Sequence, residues 1–210
     1  MAVGPGRFLD PIPRFGDRRR IRIGLFGGSF NPAHAGHRLV AEAAARALGL
    51  DQVWLMVSPG NPLKPNAGMA PLADRLASAH AFASPPRIIV TTIEATLGTR
   101  YSVDTIRRLM THFPSARFVW LCGADILIQL PHWRRWADIL ARLPFVVLPR
   151  PGYTRQALAG RIAHRLRPHR RPSRQGRLVP GSAPSWVFLP HRQSALSSTA
   201  LRAAHQEPTP

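Results

Sequence analysis

Residues 27–37 read Gly27-Gly28-Ser29-Phe30-Asn31-Pro32-Ala33-His34-Ala35-Gly36-His37 and directly follow a short apolar run at residues 21–26. An apolar run closed by two glycines predicts a buried strand and a sharp turn, because glycine has no Cβ to obstruct the bend. From Gly36 the apolar residues follow a helical period that ends at Gly49. The predicted buried face of this helix comprises Leu39, Val40, Ala43, Ala44, Ala47 and Leu48.

Strands and helices alternate along the rest of the chain. Short apolar runs predict further strands at residues 53–57, 88–93, 118–122, 145–148 and 186–189. Helical periods predict a helix after Pro71, a helix capped by Ser102 and a helical stretch at residues 133–143. This alternation indicates an α/β fold: a Rossmann-like open parallel sheet with helices on both faces and a ligand site at the carboxyl ends of the strands.

The length and composition predict one domain. The chain has 210 residues, and a domain typically has roughly 100–200. We predict an irregular Arg/Pro/Gly-rich arm at residues 1–20, a single domain at residues 21–206 and a mobile Arg/Pro-rich loop at residues 167–184. No apolar run approaches the ~18–20 residues that span a bilayer. With Cys122 as the single cysteine, we expect a cytoplasmic location and no membrane partner.

The formal net charge of +19 is a weak indication of a polyanionic partner. Lys64 is the only lysine, so the excess is almost entirely arginine, scattered through loops of an Ala- and Pro-rich chain. That pattern is typical of genome-wide codon bias. We therefore do not expect nucleic acid as a partner, although the field would attract small substrates that carry phosphate.

The two histidines of the opening stretch are candidate phosphate ligands. His34 and His37 are three residues apart, so both rings point the same way if they lie in the first helical turn. Beside them, the glycine-rich turn and the positive end of the helix provide amide donors. A metal pair is the alternative, but no third ligand has a matching spacing. If either histidine is read alone, the alternative is an ordinary loop residue that is solvated or hydrogen-bonded to the backbone.

The stretch with its His34-Ala35-Gly36-His37 centre resembles the signature of nucleotidyltransferases, and the far end of the chain narrows the resemblance. Residues 196–202, Leu-Ser-Ser-Thr-Ala-Leu-Arg, are similar to an adenylyltransferase element. Three internal stretches resemble the bacterial nicotinate-nucleotide adenylyltransferase family: residues 58–65 with 69–76, residues 98–105, and residues 120–125 with Trp133 beyond them. Asn31 departs from the family pattern, which most often has Asp there.

The resemblance implies transfer of the adenylyl group of ATP to nicotinic acid mononucleotide, with magnesium carried by ATP. It assigns catalysis to His34 and His37. It implies that ATP also contacts Gly27, Gly28, Ser29, Phe30, Gly123, Asp125, Ser197, Ser198, Thr199 and Arg202. It implies that the mononucleotide contacts Lys64, Tyr101, Ser102, Trp133 and Arg150. Trp133 would stack on the pyridine ring, and the backbone at Tyr101 and Ser102 would meet its carboxylate.

Two other functions stay open at this stage. A sister adenylyltransferase would act on nicotinamide mononucleotide or phosphopantetheine. Only a few hydrogen-bond donors of the site distinguish nicotinic acid mononucleotide from its amide. A nucleic-acid-binding protein would show affinity that falls steeply with salt and no ATP-dependent release of pyrophosphate. The sequence leaves the formation of a homo-oligomer open.

Overall fold

The computed structural model describes residues 18–60, 68–83, 87–174, 182–191 and 198. Most of the predicted arm at residues 1–20 lies outside these ranges, so the domain boundaries stay predictions. Four predicted site residues also lie outside the described residues: Lys64, Ser197, Thr199 and Arg202.

The described strands form one sheet in which every pair is parallel. The strands are β1 (Arg22–Gly28), β2 (Gln52–Val57), β3 (Ile88–Thr91), β4 (Arg117–Gly123), β5 (Phe145–Leu148), β6 (Arg170–Arg171) and β7 (Trp186–Phe188). Their order in the sheet is β3-β2-β1-β4-β5-β7-β6. The chain therefore reverses its direction of progress between β1 and β4. In open parallel sheets this reversal creates a ligand crevice at the carboxyl ends of the two strands.

Helices connect the strands and cover both faces of the sheet. They are α1 (Ala35–Leu48), α2 (Leu72–Phe82), α3 (Ile93–Thr96), α4 (Ser102–His112), α5 (Ala124–Gln129), α6 (Trp136–Arg142), α7 (Thr154–Ala159) and α8 (Arg161–Arg165). One core lies between the sheet and α1 with α2, and the other lies under α3 to α8. No helix of the described ranges has the length and apolar character needed to cross a membrane.

Successive side chains of the central strands pack into opposite cores, one on each face of the sheet. In β2, Trp54 and Met56 pack into one core, whereas Val53, Leu55 and Val57 pack into the other. A strand that is buried on both faces reads as a continuous apolar run, which is why the sequence pattern located these strands. Gly24 of β1 is required by close packing, since a Cβ there would lie 2.8 Å from side-chain atoms of both Leu50 and Leu121.

Some local predictions were wrong. The third strand ends at Thr91, and Ile93 already begins α3. Ala44 and Leu48 of the predicted face of α1 are buried, but Gly36, Ala41 and Ala45 complete that face, and Leu39 is 46% exposed. Three small alanines let the helix lie close to the sheet, and this contact decided which face is buried.

Two further details differ from the expected pattern. Ser102 is the first residue of α4 rather than its cap; Tyr101 holds the cap position, and no side chain caps this helix. The predicted loop at residues 167–184 begins with a short 3-10 turn, Arg167–His169, and the edge strand β6, which pairs with β7. The edge strand is two arginines long, too short for an apolar pattern to reveal it.

Candidate active site

The segment between β1 and α1, called the β1 loop (residues 29–34), is anchored by the ring of Phe30. Phe30 has a positive φ of 46° and its side chain is 2% exposed. A left-handed backbone costs a non-glycine residue about 1–3 kcal/mol, and burial of a phenylalanine ring offsets this by about 1.5–3 kcal/mol. The ring meets His37 edge-on, with 4.9 Å between the centroids. The anchored loop thus places the first histidines of α1 beside it.

His34 and His37 cap α1 reciprocally. His34 is the N-cap residue, and its Nδ1 accepts from the backbone N–H of Gly36 at 3.1 Å. The backbone N–H of His34 in turn donates to Nδ1 of His37 at 3.2 Å. Because both Nδ1 atoms accept hydrogen bonds, both rings carry their proton on Nε2. The centroids of the two rings lie 3.9 Å apart, so the prediction that the two imidazoles lie close together is confirmed.

Both histidines are held in the neutral form. Burial, together with the positive charges that His34 and Arg150 can carry, lowers the pKa of His37 to about 3. Burial and the charge of Arg150 also lower the pKa of His34. The site therefore presents two neutral rings with N–H donors, and negative charge brought in by a ligand would raise both pKa values.

Four amide donors at the start of α1 are already used within the protein. The N–H of Ala33 donates to Oγ of Ser78 at 3.1 Å, and the N–H of His37 donates to the carbonyl of His34 at 2.9 Å. The N–H groups of Gly36 and His34 donate to the rings of His34 and His37. The Nε2–H of each ring can donate to an anion, so the two histidines are candidate anion ligands at this end of the helix.

Asp125 and Arg150 flank the same site from the end of β4 and the end of β5. Arg150 Nε lies 3.5 Å from Oδ2 of Asp125, and the Arg150 side chain is 47% exposed. Within the described ranges, Oδ1 of Asp125 is buried and has no hydrogen-bond donor. A Cβ on Gly123 would lie 2.5 Å from that oxygen. Glycine at position 123 therefore makes room for this buried acceptor.

The predicted residues of the β1 region occupy the carboxyl end of the strand. Gly27 and Gly28 end β1, and the carbonyl of Gly28 accepts from the N–H of Ser58 at 3.0 Å. Ser198 is the one described residue of the predicted C-terminal group, and its hydroxyl donates to the carbonyl of Pro32 at 2.8 Å. The end of β1 is thus bonded to the residue that follows β2, and the β1 loop is bonded to Ser198.

Of the residues predicted for the mononucleotide, Tyr101 and Ser102 lie at the amino end of α4, whereas Arg150 lies beside Asp125. The guanidinium of Arg134 lies 4.7 Å from the centroid of the Tyr101 ring, and that of Arg100 lies 5.9 Å from it. Trp133 is half-buried and meets Trp120 edge-on, with 5.7 Å between the centroids. The structure thus places Tyr101 next to Trp133-Arg134, and the uncapped amino end of α4 begins there.

Sequence reasoning missed several polar residues that support the site. Arg75 is 2% exposed and donates to backbone carbonyls of the β1 loop and of the segment after β2. Glu94 is half-buried, and burial raises the pKa of its carboxyl group. One signal was present: Arg75 is spaced three residues from Leu72 and four from Ala79, which places an arginine on the apolar face of α2.

Comparisons with known proteins give a consistent family. A family model described as cytidylyltransferase-like matches residues 25–204. A protein of Gluconobacter oxydans named "Probable nicotinate-nucleotide adenylyltransferase" is 56% identical over 187 residues, which cover 89% of this chain and 96% of that one. A protein of the same name from Parvibaculum lavamentivorans is 52% identical over 183 residues, covering 87% and 91%.

A solved structure supports the fold. The Plasmodium falciparum nicotinic acid mononucleotide adenylyltransferase complexed with NaAD superposes with a TM-score of 0.65 at 14% sequence identity. The match covers 87% of this chain and 83% of that one. The predicted α/β architecture with an open parallel sheet is thereby confirmed.

Proposed function

The chain belongs to the nicotinate-nucleotide adenylyltransferase family, and on this premise we propose that the site at the carboxyl ends of β1 and β4 performs its adenylyl transfer. A phosphate oxygen of nicotinic acid mononucleotide attacks the α-phosphorus of ATP. The new P–O bond joins the two nucleotides as nicotinic acid adenine dinucleotide, and pyrophosphate leaves with the electron pair of the broken bond. The product serves NAD biosynthesis.

The observation that carries this proposal is the pair of neutral imidazoles with Nε2–H donors at the end of β1. The attacking phosphate is already an anion, so the reaction needs no strong base and no covalent enzyme intermediate. What remains is orientation, and neutralisation of the charge that develops on the phosphates. His37, the more acidic ring, stabilises the α-phosphate, and His34 contacts the neighbouring phosphates.

Other ATP contacts are proposed around the histidines. The backbone at Gly27, Gly28, Ser29 and Phe30 approaches the nucleotide. Asp125 offers its buried, unpartnered oxygen to a hydrogen-bond donor of ATP across Gly123. Ser197, Ser198, Thr199 and Arg202 are proposed to bind a further phosphate, and the hydrogen bond from Ser198 to Pro32, which places Ser198 beside the β1 loop, supports this for Ser198.

The mononucleotide is proposed to lie between Tyr101 and Trp133. Its pyridine ring stacks on Trp133. Its carboxylate meets the backbone at Tyr101 and Ser102, because the amino end of α4 has a positive dipole and no side chain caps it. Arg150 and Lys64 neutralise its phosphate.

ATP is proposed to enter as its magnesium complex, in which the ion belongs to the substrate. The described residues contain no group of three His, Cys, Asp or Glu side chains that could hold a metal ion. Phosphate oxygens and water would therefore supply most of its ligands. A cytoplasmic location stays a prediction, and the burial of Cys122 is compatible with it.

The decisive experiment is a substrate panel. Purified protein with ATP, magnesium and nicotinic acid mononucleotide is expected to release pyrophosphate, and the His37→Ala variant is expected to lose about 10²–10³-fold in kcat. Nicotinamide mononucleotide and phosphopantetheine serve as the competing acceptors. Release with either of these alone would overturn the choice of substrate.

A further inference from the structure

A buried arginine of α2 is bonded to the first residue of the β1 loop. Arg75 Nη1 donates to the carbonyl of Ser29 at 2.8 Å and to that of Ser58 at 2.7 Å. Its Nε donates to the carbonyl of Ala70 at 3.0 Å, and its Nη2 donates to that of Pro59 at 3.4 Å. The side chain is 2% exposed, and no carboxylate of the described ranges pairs with it. One guanidinium thus joins the β1 loop to the segments that follow β2 and precede α2.

A serine one turn further along α2 is bonded to the other end of the β1 loop. The Ser78 hydroxyl donates to the carbonyl of Arg75 at 2.8 Å, and its oxygen accepts from the backbone N–H of Ala33 at 3.1 Å. A hydroxyl has only one proton, and here that proton is bonded within the helix, so the oxygen is an acceptor toward the loop. Ala33 directly precedes His34, the N-cap residue of α1.

The middle of the β1 loop is bonded to the segment just before α2. Asn31 Nδ2 donates to the carbonyl of Gly68 at 2.9 Å, and its Oδ1 accepts from the N–H of Ala70 at 3.2 Å. The loop residues at positions 29, 31 and 33 are therefore all bonded to α2 or to the residues that lead into it. The helix thus holds the loop along its whole length.

Each end of the loop leads to one histidine. The residue bonded to Arg75 directly precedes Phe30, whose ring meets His37 edge-on with 4.9 Å between the centroids. The residue bonded to Ser78 directly precedes His34. The two polar side chains of α2 therefore act on the two rings that carry the candidate phosphate donors.

Packing of α2 alone does not require these groups. A buried charge is costly unless hydrogen bonds compensate it, and an apolar side chain of similar volume would fill the space without that cost. A guanidinium, however, has five N–H donors in a rigid fork, whereas an ammonium is a compact charge on a flexible stem. Bonds from Arg75 to four carbonyls of three segments thus favour a role in fixing the loop.

We propose that Arg75 and Ser78 are positioning residues that fix the β1 loop from α2, so that the two imidazoles keep one orientation toward the reacting phosphates. Neither residue touches substrate in this arrangement, and each acts through a histidine. This inference rests on the proposed function, which assigns the phosphates of ATP to His34 and His37.

The arrangement predicts a specific kinetic signature. Donors that stabilise a transition state must be aimed at the charge that develops there, and a displacement of about 1 Å can cost about 10²-fold in rate. Binding of ATP also uses contacts outside the two rings, so it is less sensitive to their orientation. Loss of either positioning residue is therefore expected to lower kcat far more than it weakens the binding of ATP or of the mononucleotide.

Two truncating variants test this signature. Arg75→Met removes the fork at similar length and is expected to lower kcat at least about tenfold. Ser78→Ala removes a single bond and is expected to lower kcat at least about threefold. In both variants the dissociation constants of the two substrates from calorimetry should stay within about threefold of wild type. Arg75→Lys and Ser78→Thr keep a donor or a hydroxyl and are expected to restore part of kcat. Should Arg75→Met fail to fold, Ser78→Ala leaves the guanidinium in place and still tests the inference.

Matched controls lie on other helices. Thr111→Ala matches Ser78→Ala, because the exposed Thr111 hydroxyl also donates to a carbonyl one turn earlier in its own helix, at 3.1 Å near the end of α4. Arg46→Met matches Arg75→Met, because Arg46 pairs with Glu42 on the surface of α1 at 3.8 Å. Both controls are expected to keep the kcat of the wild type.

Nitrogen NMR of the histidine rings separates positioning from a merely structural role. In the wild type the pKa of His37 is lowered to about 3, so its ring is expected to stay neutral between pH 5 and pH 7. A released loop admits water to this ring, so in Arg75→Met and Ser78→Ala the ring should begin to bind protons in that range. A substitution that only lowered the stability of the fold would leave both the ring shifts of the folded protein and kcat unchanged.

Three results would overturn the inference. They are a folded truncating variant with the kcat of the wild type, a loss confined to the affinity for ATP, or a lowered kcat with unchanged ring shifts of His37. A wild-type protein that binds both substrates but releases no pyrophosphate would overturn the proposed function instead. The ring shifts of the variants would then still report whether α2 orients the histidines, so the two failures are distinguishable.

Discussion

The backbone N–H of His34 donates to Nδ1 of His37, and this bond at 3.2 Å determines which nitrogen of His37 carries its proton. One ring nitrogen secures the start of α1, and the other is left to donate to a ligand. Two functions, capping and phosphate binding, are therefore located on different atoms of one side chain. Substitutions that imitate one nitrogen at a time should separate them.

His37→Asn and His37→Gln are expected to have opposite effects. The Asn oxygen takes the place of Nδ1, so it keeps the bond from His34 and loses the phosphate donor. The Gln amide reaches the place of Nε2, so it keeps a donor and loses the cap, which is worth about 0.5–2 kcal/mol. We expect Asn to be more stable and Gln more active, as measured by urea unfolding and pyrophosphate release. The reverse ranking would contradict the assignment of the two nitrogens.

The stability of the protein is expected to fall in mild acid because of His37. Its pKa is lowered from 6.5 to about 3, so between these values the unfolded chain binds more protons than the folded protein. The stabilisation by the neutral ring is therefore complete above pH 6.5 and is lost as the pH falls toward 3. The greatest slope for one group is about 1.4 kcal/mol per pH unit.

Urea unfolding of the wild type and of His37→Asn between pH 4 and pH 7 measures this effect. Asn does not titrate, so the difference in unfolding free energy between the two proteins should shrink in acid. His34 remains in both proteins, and its own lowered pKa cancels in the difference. If the unfolding free energies of the two proteins change with pH in parallel, His37 does not titrate as its surroundings imply.

Local signals predicted the part of the fold that local forces determine. The glycines, the helical period and its end at Gly49 predicted the positions of β1, its loop and α1. They also predicted that His34 and His37 lie close together. The predicted face of α1 was right for Ala44 and Leu48 and wrong for Leu39, because tertiary packing of the small alanines, rather than the period of the larger residues, decided which side is buried. The edge strand β6 and the helix α3 have too few residues to show any period.

The supporting residues could not be found in this way because their partners are distant in the sequence. Arg75 bonds to Ser29, 46 residues away, and Asn31 bonds to Gly68, 37 residues away. A polar residue reveals a buried role only when its surroundings are known. The resemblance to a family identified residues that touch substrate, whereas residues that hold other residues carried no motif of their own.

Asn31→Asp is expected to destabilise the protein by about 1–3 kcal/mol at neutral pH. Asn31 is 8% exposed; its Nδ2 donates to the carbonyl of Gly68 at 2.9 Å, and its Oδ1 accepts from the N–H of Ala70 at 3.2 Å. An aspartate would place a second acceptor against the Gly68 carbonyl and bury a charge. Protonation restores a donor, so the loss measured by urea unfolding should diminish at pH 4. A loss that is independent of pH would contradict this explanation.

Trp133→Leu is expected to weaken the mononucleotide and not ATP. Ring stacking is worth about 0.5–1.5 kcal/mol, or about threefold to tenfold in KM for nicotinic acid mononucleotide. Leucine still packs against Trp120, so the fold should persist. Trp136→Leu is the matched control, because Trp136 lies three residues further on and packs under Arg165, 5.2 Å from its guanidinium. Steady-state kinetics with each substrate varied in turn give the four KM values. A rise in KM for ATP, or an equal rise in both tryptophan variants, would mean that Trp133 supports the fold and does not bind the pyridine.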